Sequence, residues 1–278
     1  MISAKTHIHP GSFKIFNAYA KNPPHALLIT GPSGIGKFAV AKFWAEQTSV
    51  HSNFEVIEPE GSTISIEAIR GLYRSSRSKQ VGQQMIIIKN AQAMSDAAEN
   101  ALLKLLEEPR AGITFILTAT HKHALLPTIL SRVQHIELRR LDQKTMQNLV
   151  ITANPNLTPT DMAQLLFIAA GRPEVAIKLA TSSDQLQKKR LLMQQAKELI
   201  SAKPYQRICD INKLASNRLD CIEILDAMLL MTQVQIKSAS PSLVDHLLGR
   251  ANIIENTLAK ISCNGNIKAQ LLALFSLL

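Results

Sequence analysis

Between residues 26 and 140, short unbroken apolar runs alternate with stretches whose apolar positions recur every three or four residues. The runs ALLIT (26–30), FEVI (54–57), QMIII (84–88), ITFILTA (113–119) and 133–138 predict strands. The periodic stretches predict helices over 37–47, 65–75, 96–108 and a short one near 124–130. Continuous apolar strands separated by helices suit a parallel sheet covered on both faces. Helix 37–47 is expected to bury Val40, Phe43 and Trp44. In helix 96–108, Ala98, Leu102, Leu105 and Leu106 share one face, Asp96 and Glu99 fit a capping box, and Pro109 stops the chain.

From about 141 the strand signals cease. Residues 142–180 read as a small helical unit, with Thr158 and Thr160 as candidate caps and Gly171 as a helix stop before Pro173. Leucines and methionines at helical spacing over 183–278 predict a second helical region with a bundle core. The expected domains are an α/β domain over 1–140, a helical lid over 141–182 and a helical C-terminal domain over 183–278.

Composition narrows the class. A chain of 278 residues with 46% hydrophobic residues can bury a sizeable core. No apolar run reaches the ~20 residues a membrane helix needs, and the start lacks a secretory pattern. Cys209, Cys221 and Cys263 have neither disulfide-framework nor metal-ligand spacing and are expected as buried thiols. The expected location is therefore the cytoplasm. A formal charge of +10 favours a polyanionic partner.

The chemistry concentrates at HALLITGPSGIGK, residues 25–37. Gly31, Gly34, Gly36 and Lys37 complete the GxxxxGK spacing between a predicted strand and a predicted helix, the arrangement that cradles phosphates on backbone amides. Working loops of this kind follow the lysine with a hydroxyl that binds Mg²⁺ and draw a carboxylate from a nearby strand tip. Here Phe38 follows the lysine, and the strand 84–88 leads into Lys89 and Asn90. No metal site and no magnesium-dependent hydrolysis are expected, and at most weak ATP or ADP binding. No carboxylate pair suggests polymerase chemistry.

Two other features remain. Ser131-Arg132 ends a loop before the last predicted strand, where an arginine either forms a surface ion pair or reaches a neighbouring chain's phosphate. RGLYRSSRSK, residues 70–79, sets Arg70, Arg74, Arg77 and Lys79 together without an acid, either a solvated basic face or a contact for a DNA backbone. The KKR run at 188–190 reads as a polar helix face. His7, His9, His121 and His123 lack partners at metal-binding spacing and are expected at the surface.

HALLITGPSGIGK, IEAIRGLYR, IIIKNAQAMSDAAENALLKLLEEP and TFILTATHKHALLPTILSR together resemble the delta-prime branch of the bacterial DNA polymerase III clamp loaders, in the AAA+ family. The resemblance implies an AAA+ P-loop fold with a small lid and a C-terminal collar domain. It implies a non-hydrolysing subunit whose Ser131-Arg132 serves ATP on an adjacent motor subunit. The implied partners are motor and delta subunits, the β sliding clamp and primer–template DNA, with Arg70 and Arg74 near the DNA. Thr118 or Thr120 would fall near the nucleotide-sensing position. Three departures qualify the match. The interval between the first helix and second strand has no cysteine, so the zinc module of many members is expected to be missing. Val133 replaces a common cysteine, and Glu174 stands where motor subunits carry a lid arginine. The alternatives are an active motor subunit of the same family, which would need the missing catalytic groups, and a stand-alone AAA+ protein remodeller.

Overall fold

The computed structural model describes residues 8–21, 23–48, 54–75, 84–109, 112–262 and 265–278. The chain divides into two compact units, Met1–Thr181 and Ser182–Leu278.

In the first unit, β1 (Ala26–Thr30), β2 (Phe54–Ile57), β3 (Gln84–Ile88), β4 (Ile113–Ala119) and β5 (Gln134–Glu137) form one parallel sheet in the order β2-β3-β4-β1-β5. Alternate side chains of each strand serve opposite faces, as the period of two requires. Leu28, Ile86, Ile88 and Leu117 face one core with Ile69, Leu72, Leu102, Leu106 and Ile129. Leu27, Ile29, Ile87 and Ile116 face the other with Phe16, Val40 and Trp44.

The first core lies under α3 (Ile66–Ser75), α4 (Asp96–Glu107) and α5 (Pro127–Leu130); the second lies under α1 (Pro10–Lys21) and α2 (Lys37–Thr48). Val40 and Trp44 are buried as expected, whereas Phe43 is only partly so. Helix α1 was not among the expected elements. Its few apolar positions are held by tertiary contacts: Phe16 stacks with Phe13 and Phe43, and Ser12 Oγ donates to Glu137 O at 2.8 Å.

Helices α6 (Gln143–Ala153), α7 (Pro159–Ala169) and α8 (Pro173–Thr181) belong to the same unit. Thr158 caps α7 by accepting from Asp161 N, while Thr160 lies inside the helix. At the stop, Ala170 and Gly171 both take positive φ, and a Cβ on Gly171 would meet Leu141 O at 2.8 Å. Only glycine fits there.

The second unit is wholly helical, with α9 (Ser183–Ser201), α10 (Pro204–Cys209), α11 (Ile211–Leu214), α12 (Arg218–Ser238), α13 (Pro241–Ser262) and α14 (Ile267–Leu277). Its core includes Leu199, Cys221, Leu225, Met228, Ile254, Leu274 and Phe275. Ser182, Asn217 and Asn266 cap α9, α12 and α14. Buried Arg207 donates to Leu199 O and Ile200 O, satisfying carbonyls at the end of α9. Cys221 is buried, but Cys209, the last residue of α10, is exposed, contrary to expectation; Cys263 lies outside the described residues. No described helix is long and apolar enough to cross a membrane.

Candidate functional site

β1 sits between β4 and β5, so the loop leaving its carboxyl end lies where the strand order changes direction. Open α/β sheets bind ligands at such points. The loop is Gly31–Gly36, followed at once by α2, whose amino end begins at Lys37. Gly34 has φ of 76° and Gly36 of 91°, conformations that admit glycine readily.

Lys37 is nearly buried and turns back onto its own loop. Its Nζ donates to Gly31 O at 2.7 Å and Pro32 O at 3.1 Å. Burial pushes its pKa down to about 8, with the charge of Glu174 opposing the shift. The start of α8 packs against the same loop. Glu174 N donates to Gly34 O at 3.1 Å, and a Cβ on Gly34 would lie 2.4 Å from Val175 Cγ2. Glu174 itself pairs with Lys178 at 3.0 Å. Arg172 is engaged elsewhere, donating to Ile168 O and Ala169 O at the end of α7.

The two departures read from the sequence meet in space. Lys89 Nζ stands 5.0 Å from the centroid of the Phe38 ring and 3.1 Å from Glu58 Oε2. A cation over an aromatic face and a carboxylate contribute about 0.5–1 kcal/mol each at such exposure. Asn90 adopts left-handed backbone geometry, and its N–H donates to Thr118 Oγ1 at 3.0 Å. Thr120 contributes its carbonyl to Gly31 N at 3.2 Å. The Lys89 ammonium, the Asn90 N–H and the Thr120 carbonyl are thus each engaged within the chain. Among the described residues, no group of three or more His, Cys, Asp or Glu side chains could hold a metal ion.

Ser131 and Arg132 follow α5, whose Ile129 is fully buried in the core shared with α4. Arg132 Nη2 pairs with Glu107 Oε1 at 2.8 Å, and Nη1 donates to Thr128 O at 2.9 Å and Ser131 Oγ at 3.0 Å. The Arg132 side chain stays about one-third exposed, at 35%.

The cap of α4 differs from the expected box. Ser95, not Asp96, is the N-cap, its Oγ accepting from Ala98 N at 3.2 Å. Glu99 is thereby one position too far along to reach back, and its Oε2 instead accepts Leu126 N at 3.1 Å. Burial raises the Glu99 pKa, against the stabilising Leu126 hydrogen bond. A carboxyl with a raised folded pKa holds extra protons in the native state, so its stability contribution is complete at low pH and falls as pH rises through the folded pKa. Glu99→Gln keeps an acceptor without the charge and should be at least as stable as the parent at pH 7. Glu99→Ala leaves a partly buried N–H unmet and should cost about 1 kcal/mol or more. Urea unfolding of both variants at pH 5 and pH 8 checks the pair; a Gln variant less stable than the Ala variant would contradict the burial argument.

Of the basic stretch, Arg70 is exposed on α3; Arg74 belongs to the same helix. Arg77 and Lys79 lie outside the described residues. Lys188 pairs with Asp220 at 2.7 Å and Lys189 with Glu223 at 3.0 Å, consistent with a polar helix face. His121 and His123 are exposed; His9 is partly covered and accepts from Gly11 N through Nδ1, and His7 lies outside the described residues.

The family described as DNA polymerase III, delta subunit, matches residues 47–142. DNA polymerase III subunit delta′ of Pseudomonas aeruginosa is 29% identical over 181 residues, covering 56% of this chain and 55% of that one. Subunit delta′ of Escherichia coli is 26% identical over 216 residues, covering 72% and 64%. Subunit tau of Bacillus subtilis is 30% identical over 145 residues, covering 44% and 26%. The chain spans about half the length of the curated relatives it matches. Among solved structures, a DNA polymerase III gamma subunit-related protein of Thermotoga maritima superposes with TM-score 0.55 at 19% identity, over 95% of this chain and 97% of that one. The RuvB Holliday junction branch migration motor of the same organism gives 0.52 at 16% identity, over 71% and 78%. At those identities the structures speak to the fold alone. Sequence and fold together make this chain similar to the delta′, gamma and tau subunits of DNA polymerase III, with a central parallel sheet flanked by helices and a helical C-terminal unit.

Proposed function

We propose that the chain is a delta-prime-type, non-hydrolysing subunit of a clamp-loader assembly, completing an ATP site on a neighbouring motor subunit with Arg132. One observation carries this reading: the Lys89 ammonium, between Phe38 and Glu58, stands where a working site of this fold would present a metal-binding carboxylate to a hydroxyl. The loop that retains Gly31, Gly34, Gly36 and Lys37 supports fold and rigidity, with Lys37 bound to its own carbonyls. Arg132, by contrast, keeps about a third of its side chain exposed at the end of a well-anchored segment.

On this reading the partners are motor and delta subunits, the sliding clamp and primer–template DNA, with Arg70 and Arg74 as backbone contacts. The runner-up, an active motor subunit, is favoured by the shared phosphate-loop spacing and by the similarity to tau and gamma/tau subunits. The purified chain alone should show no magnesium-dependent ATP turnover above a no-enzyme control. Turnover by the isolated chain, abolished by Lys37→Ala, would reject the reading in favour of a motor subunit.

A further inference from the structure

The residues around Arg132 are organised by one helix. The segment 125–133 is pinned to the core by Leu125 and Ile129, with Leu126, Leu130 and Val133 packed beside them. Helix α4 then grips it at two polar points. Near the amino end of the helix, the Glu99 carboxylate accepts Leu126 N at 3.1 Å; at the carboxyl end, Glu107 Oε1 receives Arg132 Nη2 at 2.8 Å. Between those grips the backbone turns through Leu130 N to Leu126 O, Ser131 N to Pro127 O and Arg132 N to Ile129 O. Ser131 Oγ donates to Thr128 O at 2.9 Å and accepts from Arg132 Nη1, so the hydroxyl closes a small ring behind the guanidinium.

We propose that Glu107 is a positioning residue for Arg132: it holds the guanidinium in the orientation from which its remaining donors meet a phosphate oxygen of the adjacent chain. This rests on the reading of Arg132 as a trans arginine. Three acceptors of the chain itself fix the group, yet a guanidinium carries more N–H donors than these three use. Holding a long, flexible side chain in place before the partner arrives removes an entropy cost from the step in which charge develops. An arginine without such a brace would sample many rotamers in the one-third of its surface that faces solvent. The same exposure makes Glu107 a weak contributor to folding, since its own side chain is half exposed.

The test uses the reconstituted assembly with clamp and primed DNA, and compares ATP turnover for parent, Arg132→Ala, Glu107→Ala, Glu107→Gln and the Arg132→Ala/Glu107→Ala double variant. Glu107→Ala should lower kcat about fivefold to tenfold, with KM for ATP within about twofold of the parent. Glu107→Gln, which keeps an acceptor oxygen, should recover most of that loss. The double variant should be no slower than Arg132→Ala alone, because the two residues act through one group. Full kcat in Glu107→Ala beside a slow Arg132→Ala would overturn the positioning role and leave the trans arginine standing. A faster Glu107→Ala would overturn it as well, in favour of a restraining contact. Full turnover in Arg132→Ala would overturn both readings together. Thermal unfolding of each variant chain, expected to match the parent within about two degrees, separates positioning from loss of structure.

Discussion

On the proposed role as a trans arginine, Arg132→Ala should lower ATP turnover of a reconstituted clamp-loader assembly tenfold or more while leaving the stability of the chain almost unchanged. The two halves of that expectation come from the same geometry. The Arg132–Glu107 contact is exposed on both sides, so removing it costs about 1 kcal/mol or less. Chemistry on a neighbouring triphosphate is far more sensitive, because a trans arginine stabilises charge that develops only in the transition state and contributes about 10³–10⁵ in some systems. Arg132→Lys should fall between parent and alanine, since an ammonium restores charge without the planar fork. The measurement is steady-state turnover with clamp and primed DNA present, beside a melting curve for each chain. Unchanged turnover would remove Arg132 from the mechanism and leave the fold untouched; a large drop in melting temperature would show that the residue serves the fold instead.

The parts of this molecule that could be read in the sequence are those governed by local pattern. The central strands β1, β3 and β4 are buried over most of their length, so ALLIT, QMIII and ITFILTA announce themselves as unbroken apolar runs. The phosphate loop is a contiguous spacing and lies where the pattern of strand and helix requires. Helix α1 was hidden because its stability comes from distant groups, such as Glu137 O, more than a hundred residues from Ser12. The Glu99 cap was misread for a related reason. A one-residue shift to Ser95 turns the carboxylate from its own helix toward Leu126, and only the packed segment decides which. The pairing of Phe38 with Lys89 joins two substitutions that sequence reading treats as separate losses. The Glu107–Arg132 bond spans 25 positions, and neither residue type at either place signals the other. Side-chain groups gathered from different elements escape a one-dimensional reading; backbone-defined sites do not.

Trp44→Ala is the substitution expected to cost most stability, about 3–5 kcal/mol, because an aromatic side chain with no solvent exposure leaves a cavity its neighbours cannot fill. Trp44 lies on α2, the helix that begins at Lys37, and its ring meets Phe16 at a centroid distance of 6.1 Å with a tilt of 59°. Phe16 in turn stacks on Phe13 and Phe43, so the indole anchors an aromatic group that fastens both α1 and α2 to one face of the sheet. A domain of this size is stable by only about 5–15 kcal/mol, which makes the expected loss a large share of the whole. Circular dichroism through a urea titration is the suitable probe, since Trp44 is the only tryptophan and its removal silences that fluorescence. The two-faced architecture adds a sharper expectation. Ile129 and the α4 residues Leu102 and Leu106 belong to the core on the opposite face. At a temperature where the variant remains folded, turnover of the reconstituted assembly should therefore stay within about twofold of the parent, because the braced arginine does not draw on the aromatic side for its geometry. A loss below about 1 kcal/mol would mean that the aromatic group does not fasten α2; normal stability loss with a collapse of turnover would mean that the phosphate-loop face and the arginine face are coupled through the sheet.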